Sequence, residues 1–190
     1  MPKSSTSDLI LEATEAVIIR DGFANFTIGA VAEEAGLSKG GVLHHFGSKD
    51  ALIRALVIRG VEQCSSNFDA AHKQSCPGPA QYARAIIDYY LSDQKSWSDE
   101  RQSVSSAFLA ALAVDPQLIE PIRAHGERVR ELMLSDDLPQ GVGLVIVNAL
   151  DGLWLNWALG LERFDLERHT MVLNTLKELI ERSVNDQTNT

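Results

Sequence analysis

Residues 27–49, TIGAVAEEAGLSKGGVLHHFGSK, constrain this chain more than any other stretch. Thr27 is placed to cap a helix in which Ile28, Val31, Ala32 and Ala35 keep the i, i+3, i+4, i+7 spacing of one apolar face. Gly36 supplies the backbone freedom for a sharp reversal. Ser38 then caps a second short helix, in which Val42, Leu43 and Phe46 offer packing surface, and Gly47–Ser48 ends it. Two short helices around a tight glycine turn form the outline of a helix-turn-helix, whose second helix can be presented to a DNA groove.

The flanks extend the helical pattern. Ser7 and Asp8 can cap a helix over 9–20 that stops at Gly22, with Leu9, Ala13 and Ala16 on one side and Ile10 and Val17 beside them. Ser48 opens a further helix that carries Leu52, Ala55 and Leu56 inward. The CPGP stretch within residues 72–79 is the clearest punctuation in the chain. Beyond it, 81–91, 99–114, 116–134, 141–160 and 165–184 read as helices, with Pro116 and Pro121 marking a bend or a first turn. No alternating β pattern persists and no internal repeat is visible. The expected class is all-α with about nine helices: an N-terminal three-helix helix-turn-helix domain over residues 1–56, then a larger helical domain over 57–190.

Charge narrows the partners. The net charge of -9 argues against wholesale coating of nucleic acid, which needs a broad basic surface. The charge is uneven, however. Residues 1–60 carry six Lys and Arg against seven Asp and Glu, whereas 61–190 carry eleven against nineteen. A nearly neutral front end can still dock on phosphate through local positive patches, while the rear is solubilising. Cys64 and Cys76 have no metal-like spacing, consistent with two thiols in a reducing cytoplasm. No basic segment followed by an apolar one opens the chain, so a secretory leader is not expected. The apolar stretch 142–161 is interrupted by Asn148, Asp151 and Asn156, which favours a buried helix over a membrane span.

Enzyme chemistry is not expected. There is no HExxH, GxSxG, CxxC or phosphate-binding glycine loop. His44 and His45 are adjacent rather than four apart, and His72, His125 and His169 are scattered. No catalytic residue, metal site or cofactor is assigned.

The runs RDGFANFTIGAVAEEAGLSKG and GGVLHHFGSKDAL, within residues 8–56, resemble the N-terminal domain of TetR/AcrR-family transcriptional regulators. The strong part of the resemblance covers roughly a quarter of the chain. It implies a homodimeric, ligand-controlled protein that binds double-stranded operator DNA, often as a repressor. In the residues themselves, Thr27 and Ser38 can offer hydroxyls or capped backbone N–H groups to phosphates at helix starts. Lys39, Gly40 and Gly41 begin the recognition helix, where small residues permit close approach to base edges and Lys39 can reach phosphate or guanine. The resemblance adds His44 as a phosphate or groove contact and Lys49 as a phosphate-contacting lysine. Leu43 stands where the family commonly has a tyrosine that contacts the DNA backbone.

Beyond residue 60 the resemblance is weak. It implies that the last two helices pair with their symmetry mates in a four-helix bundle, with recognition helices about 34 Å apart to match a palindrome. The helical stripes assigned to that seam are Leu144, Val147, Asn148, Asp151 and Leu155, then Val172, Leu173, Leu176, Leu179 and Ile180. A pocket for a neutral or weakly polar organic effector is expected from Phe108, Leu112, His125, Val129, Met133, Trp154 and Trp157. A dimeric small-molecule-binding protein without sequence-specific DNA binding is the alternative that these residues leave open.

Overall fold

The computed structural model describes residues 5–93 and 97–188. Among them lie nine α-helices: α1 (Thr6–Asp21), α2 (Ile28–Glu34), α3 (Lys39–Phe46), α4 (Lys49–Gln74), α5 (Gln81–Ser92), α6 (Asp99–Val114), α7 (Ile119–Leu134), α8 (Gln140–Ala158) and α9 (Leu166–Thr188). A 3-10 turn, Pro116–Leu118, precedes α7. The all-α expectation holds. The chain divides into two compact units, one of residues 1–61 with 99–121 and the other of 62–98 with 122–190.

In the first unit, α1 is capped two residues earlier than the pattern at Ser7 suggests. Ser5 is the N-cap: its Oγ accepts from the Asp8 backbone N–H, and the Asp8 carboxylate accepts the Ser5 N–H in return. The inward face of α1 is Ile10, Ala13, Thr14, Val17 and Ile18, which leaves Leu9 exposed rather than inward. Thr14 is tolerated there because its hydroxyl donates to the Ile10 carbonyl at 2.7 Å. Phe26, Val31, Val42, Leu52 and Leu56 close the same core. Each such side chain contributes about 1.5–3 kcal/mol of burial. Later in the chain, α6 adds Ala107 to this core, with Phe108 packed against it. The Phe108 ring lies so close to Gly60 of α4 that an added Cβ would come within 2.7 Å of it. The helix that begins after Ser48 runs unbroken for 26 residues, as far as the CPGP punctuation.

The second unit packs the later part of α4 with α5, α7, α8 and α9 around Tyr82, Ile86, Ile87, Met133, Ile146, Leu173 and Ile180. The first residue before α5, Ala80, is left-handed and supplies no side-chain cap. Asp136 does that work from outside the helix, accepting the N–H groups of Tyr82 and Ala83 at 2.9 and 2.7 Å. Residues Gly141–Ala158 of α8 are long and apolar enough to cross a membrane by length and composition. One face of α8 sends Ile146, Val147 and Leu150 into the core of its unit, and Trp157 is also buried.

Candidate nucleic-acid interface

Local hydrogen bonds build the α2–α3 pair. Thr27 Oγ1 accepts from the Ala30 N–H at 3.1 Å and Ser38 Oγ from the Gly41 N–H at 3.0 Å. Both hydroxyls therefore act as caps, and both are exposed. Since each accepts, its own proton is left to donate outward. Between the helices, Leu37 N–H donates to the Ala32 carbonyl and Gly36 N–H to that of Glu33, a Schellman closure. Gly36 sits at φ +67°, which explains the glycine.

Val42 is the fully buried side chain that seats α3 on the core. The rotation it fixes turns Lys39, Gly40, Leu43 and His44 to solvent, one helical stripe. Gly41, a turn from the edge of that stripe, is half-buried. Added methyls at Gly40 and Gly41 would find the nearest atoms at 3.8 and 3.4 Å, and neither residue has positive φ. Nothing within the chain demands glycine there, although each weakens the helix by up to about 1 kcal/mol. Leu43, 41% exposed, stands in the middle of the stripe. His44 and His45 meet edge to face at 5.7 Å, and His45 Nδ1 lies 3.5 Å from Ser7 Oγ.

Two lysines take unexpected positions. The Lys39 stem crosses the first turn of α2, where a Cβ on Gly29 would lie 2.7 Å from its Cε and 3.2 Å from Nζ. Gly29 thus makes room for Lys39, a role that spacing within one helix does not reveal. An ammonium beside a helix N-terminus opposes the local dipole, an arrangement that an external anion would reverse. Lys49 Nζ donates to the Phe26 carbonyl at 2.9 Å and stands 4.2 Å from the centroid of the Phe26 ring. Its remaining N–H donors are not spent on that bond.

The residues expected to form a pocket are divided. Phe108 and Leu112 belong to the first unit, while His125, Val129, Met133, Trp154 and Trp157 belong to the second. Met133 is core and Val129 packs beside it. His125 Nδ1 shares a hydrogen bond with Ser65 Oγ at 2.7 Å, and burial followed by the Arg128 charge holds its pKa below the ordinary value. Trp157 stands against Trp97 at 5.0 Å. The Cys64 thiol is pushed up to about 11 by burial and then by Asp151, so it stays protonated and unreactive. Asp151, exposed as a residue, has its carboxyl pKa raised from the ordinary value by the partial desolvation of its α8 surroundings. Among the described residues, no three His, Cys, Asp or Glu side chains group as metal ligands.

The stripes assigned to a dimer seam are also divided. Val147, Leu173, Leu176 and Ile180 are buried in the core of their own unit, which leaves them no surface for a partner. Val172 and Leu179 are half-buried. Leu144, Asn148, Asp151 and Leu155 face solvent, joined on α8 by Val145 (53% exposed) and on α9 by Met171 (62%). The strongest apolar stripe of each helix is the one its own core claims.

Comparison with known proteins agrees with this geometry. Residues 10–56 match the family described as bacterial regulatory proteins, tetR family, and residues 80–181 match the tetracyclin repressor-like C-terminal domain. An HTH-type transcriptional regulator BetI from Stenotrophomonas maltophilia is 28% identical, covering 88% of this chain and 91% of its own length. The solved structure of a transcriptional regulator from Pseudomonas aeruginosa PAO1 superimposes with a TM-score of 0.74 at 21% identity, covering 95% of this chain and 92% of that one. A transcriptional regulator from Rhodococcus sp. Rha1 gives 0.73 at 20% identity, covering 94% and 97%.

Proposed function

This chain belongs to the TetR family of bacterial transcriptional regulators, a family of DNA-binding proteins and not of enzymes, and from that premise we propose a ligand-responsive repressor. It binds a palindromic operator as a homodimer and is released by a small organic effector. Residues 1–56 carry DNA binding, and residues 57–190 carry effector binding and dimerisation. It acts in the cytoplasm, where operator DNA lies. The observation that carries the reading is the outward stripe of α3, with Lys39, Gly40, Leu43 and His44 presented on a helix seated by Val42.

Each assigned contact has a physical role. Thr27 and Ser38 donate their free hydroxyl protons to phosphates flanking the groove. Lys39 and Lys49 neutralise phosphate from the two sides of the pair, and His44 touches the groove edge or backbone. Gly40 and Gly41 let the α3 backbone come close to base edges. Leu43 cannot donate the hydrogen bond of the family's usual tyrosine, so that backbone contact is absent and Leu43 meets the groove with apolar surface.

The dimer forms over the solvent face of α8, where Leu144, Val145, Asn148, Asp151 and Leu155 lie together, with α9 beside it. An effector releases DNA by binding more tightly to the conformation whose paired heads do not match the operator spacing. Genomic fragment selection with purified protein tests the proposal. It is expected to recover a palindrome bound saturably and with steep salt dependence. Failure to recover any selective complex would remove DNA regulation and leave the small-molecule-binding reading.

A further inference from the structure

The second unit contains a set of aromatic walls whose present occupant is a side chain of the protein itself. Trp97, 8% exposed, lies just ahead of α6. Around its indole stand Tyr90 of α5 at 5.9 Å, Trp157 of α8 at 5.0 Å, Phe164 at 5.5 Å and His169 of α9 at 4.4 Å, centroid to centroid. The Phe164 ring stacks on the indole at 14°, whereas Trp157 and His169 meet it edge-on. Four rings from three helices and the segment before α9 therefore enclose one flat bicycle.

His169 sets this cluster apart from ordinary core. It is 6% exposed, and its Nε2 is buried without a hydrogen-bond partner. Phenylalanine or leucine would serve ring packing without that liability, because a buried polar atom left unpaired is disfavoured. Desolvation lowers the imidazole pKa, which keeps the ring neutral at physiological pH. A neutral imidazole nitrogen offers one directional hydrogen bond, as donor or acceptor according to tautomer. The surrounding ring faces offer a flat ligand matching apolar surface, with Tyr90 feeling the charge of Asp151.

We propose that Tyr90, Trp157, Phe164 and His169 form a binding site for a small planar aromatic molecule bearing one ring N–H or hydroxyl, and that Trp97 fills this site when no ligand is bound. The aromatic walls take the flat body of the ligand and His169 Nε2 takes its polar edge. This deepens the effector-controlled reading above and rests on it for its regulatory meaning. Trp97 lies two residues before Asp99, the first residue of α6, and α6 belongs to the first unit. A ligand that takes the place of Trp97 thereby frees the chain leading directly into an element of the DNA-facing unit.

Indole, which matches the bicycle now held there, is the probe. Calorimetric titration into the full-length protein is expected to show saturable binding. Binding tightens about tenfold or more in W97F, whose smaller ring competes less well for the site. It weakens about tenfold in H169F, which keeps a ring but removes the nitrogen. Naphthalene, with no N–H, is expected to bind wild type and H169F equally. Circular dichroism verifies folding, and W97F rather than W97A is used because it keeps an aromatic in the core. Absence of indole binding to both wild type and W97F overturns the site, as does equal indole affinity in wild type and H169F. His169-dependent binding that leaves an operator complex intact overturns the effector role of the site. Absence of any operator complex overturns the regulatory reading itself.

Discussion

Replacing Lys49 by alanine removes two interactions at once, and the structure gives a magnitude for each. The ammonium donates to the Phe26 carbonyl at 2.9 Å, a hydrogen bond with one charged partner. Such bonds contribute about 1.5–3 kcal/mol when shielded, and the exposure of Lys49 places this one at the low end. The contact with the Phe26 ring, 4.2 Å from the centroid, adds about 0.5–1 kcal/mol at an exposed site. Against these, a cation in the first turn of α4 opposes the helix dipole, and its removal returns about 0.3–0.5 kcal/mol. K49A is therefore expected to lose about 1–2 kcal/mol in denaturant unfolding, through the junction of Phe26 with the α2 cap at Thr27. On DNA, the two donors not used by Phe26 are free for phosphate. Losing one phosphate per protomer lowers the slope of log K against log salt by about 1.8 per dimer, so the defect is greatest at low salt. Fluorescence anisotropy across a salt series measures the slope. Unfolding identical to wild type would refute the carbonyl tie, and an unchanged slope with weakened stability would refute phosphate contact.

G40A/G41A is expected to raise the stability of the isolated protein, by up to about 1 kcal/mol per site, because both methyls find room. The same variant is expected to lose at least about tenfold in operator affinity, and gain or constancy of affinity would remove the close-approach argument. V145E places a charge on the solvent face of α8 and is expected to shift the protein to monomer in sedimentation at micromolar concentration; a persistent dimer would move the seam elsewhere. Burial lowers the folded pKa of His125 and His169, so their neutral forms stabilise the fold above the unfolded value of about 6.5. As pH falls from there through the depressed folded values, the unfolded chain takes up protons that the native state refuses, and stability is lost. Denaturation of wild type against H169F between pH 7.5 and 5 is expected to show a shallower decline in the variant, and parallel curves would refute the contribution of His169.

The parts of this molecule that short-range chemistry determines were readable from residue order. Thr27 and Ser38 are caps because a hydroxyl ahead of an apolar helical run accepts the nearby N–H groups, and Gly36 marks the turn because only its backbone takes φ +67° freely. Ser5 and Ser7 illustrate the limit of that logic. Both precede the same apolar run, and the choice of Ser5 depends on reciprocal bonding with Asp8. Faces of α8 and α9 were harder for a different reason. Apolar periodicity marks a buried stripe without saying whether core or partner buries it, and Leu173, Leu176 and Ile180 went to the core. Contacts that join distant segments left no trace in spacing at all. Phe108 packs on Gly60, Lys39 crosses Gly29, and Trp97 meets His169 because of tertiary placement alone.

The residues of α3 make best sense when their local costs are considered together. Two glycines weaken the helix where the chain leaves room for alanine. An ammonium lies over the positive end of α2, where a Cβ at position 29 would force the end of the Lys39 side chain to shift. A leucine sits 41% exposed in the centre of the outward stripe, away from the core that Val42 completes. Each choice works against the stability of the free protein, and all three lie on or beside one surface. Sequences break local rules in clusters where function compensates for the loss. An anionic, grooved partner turns every one of these costs into a gain. On the proposed operator, phosphate would meet Lys39, a groove floor would take the bare backbone of Gly40, and a thymine methyl would offer Leu43 apolar contact. That reversal of sign between the free and bound states, at three chemically different positions, ties the neutral-to-acidic front end of this chain to DNA more firmly than its overall charge argues against it.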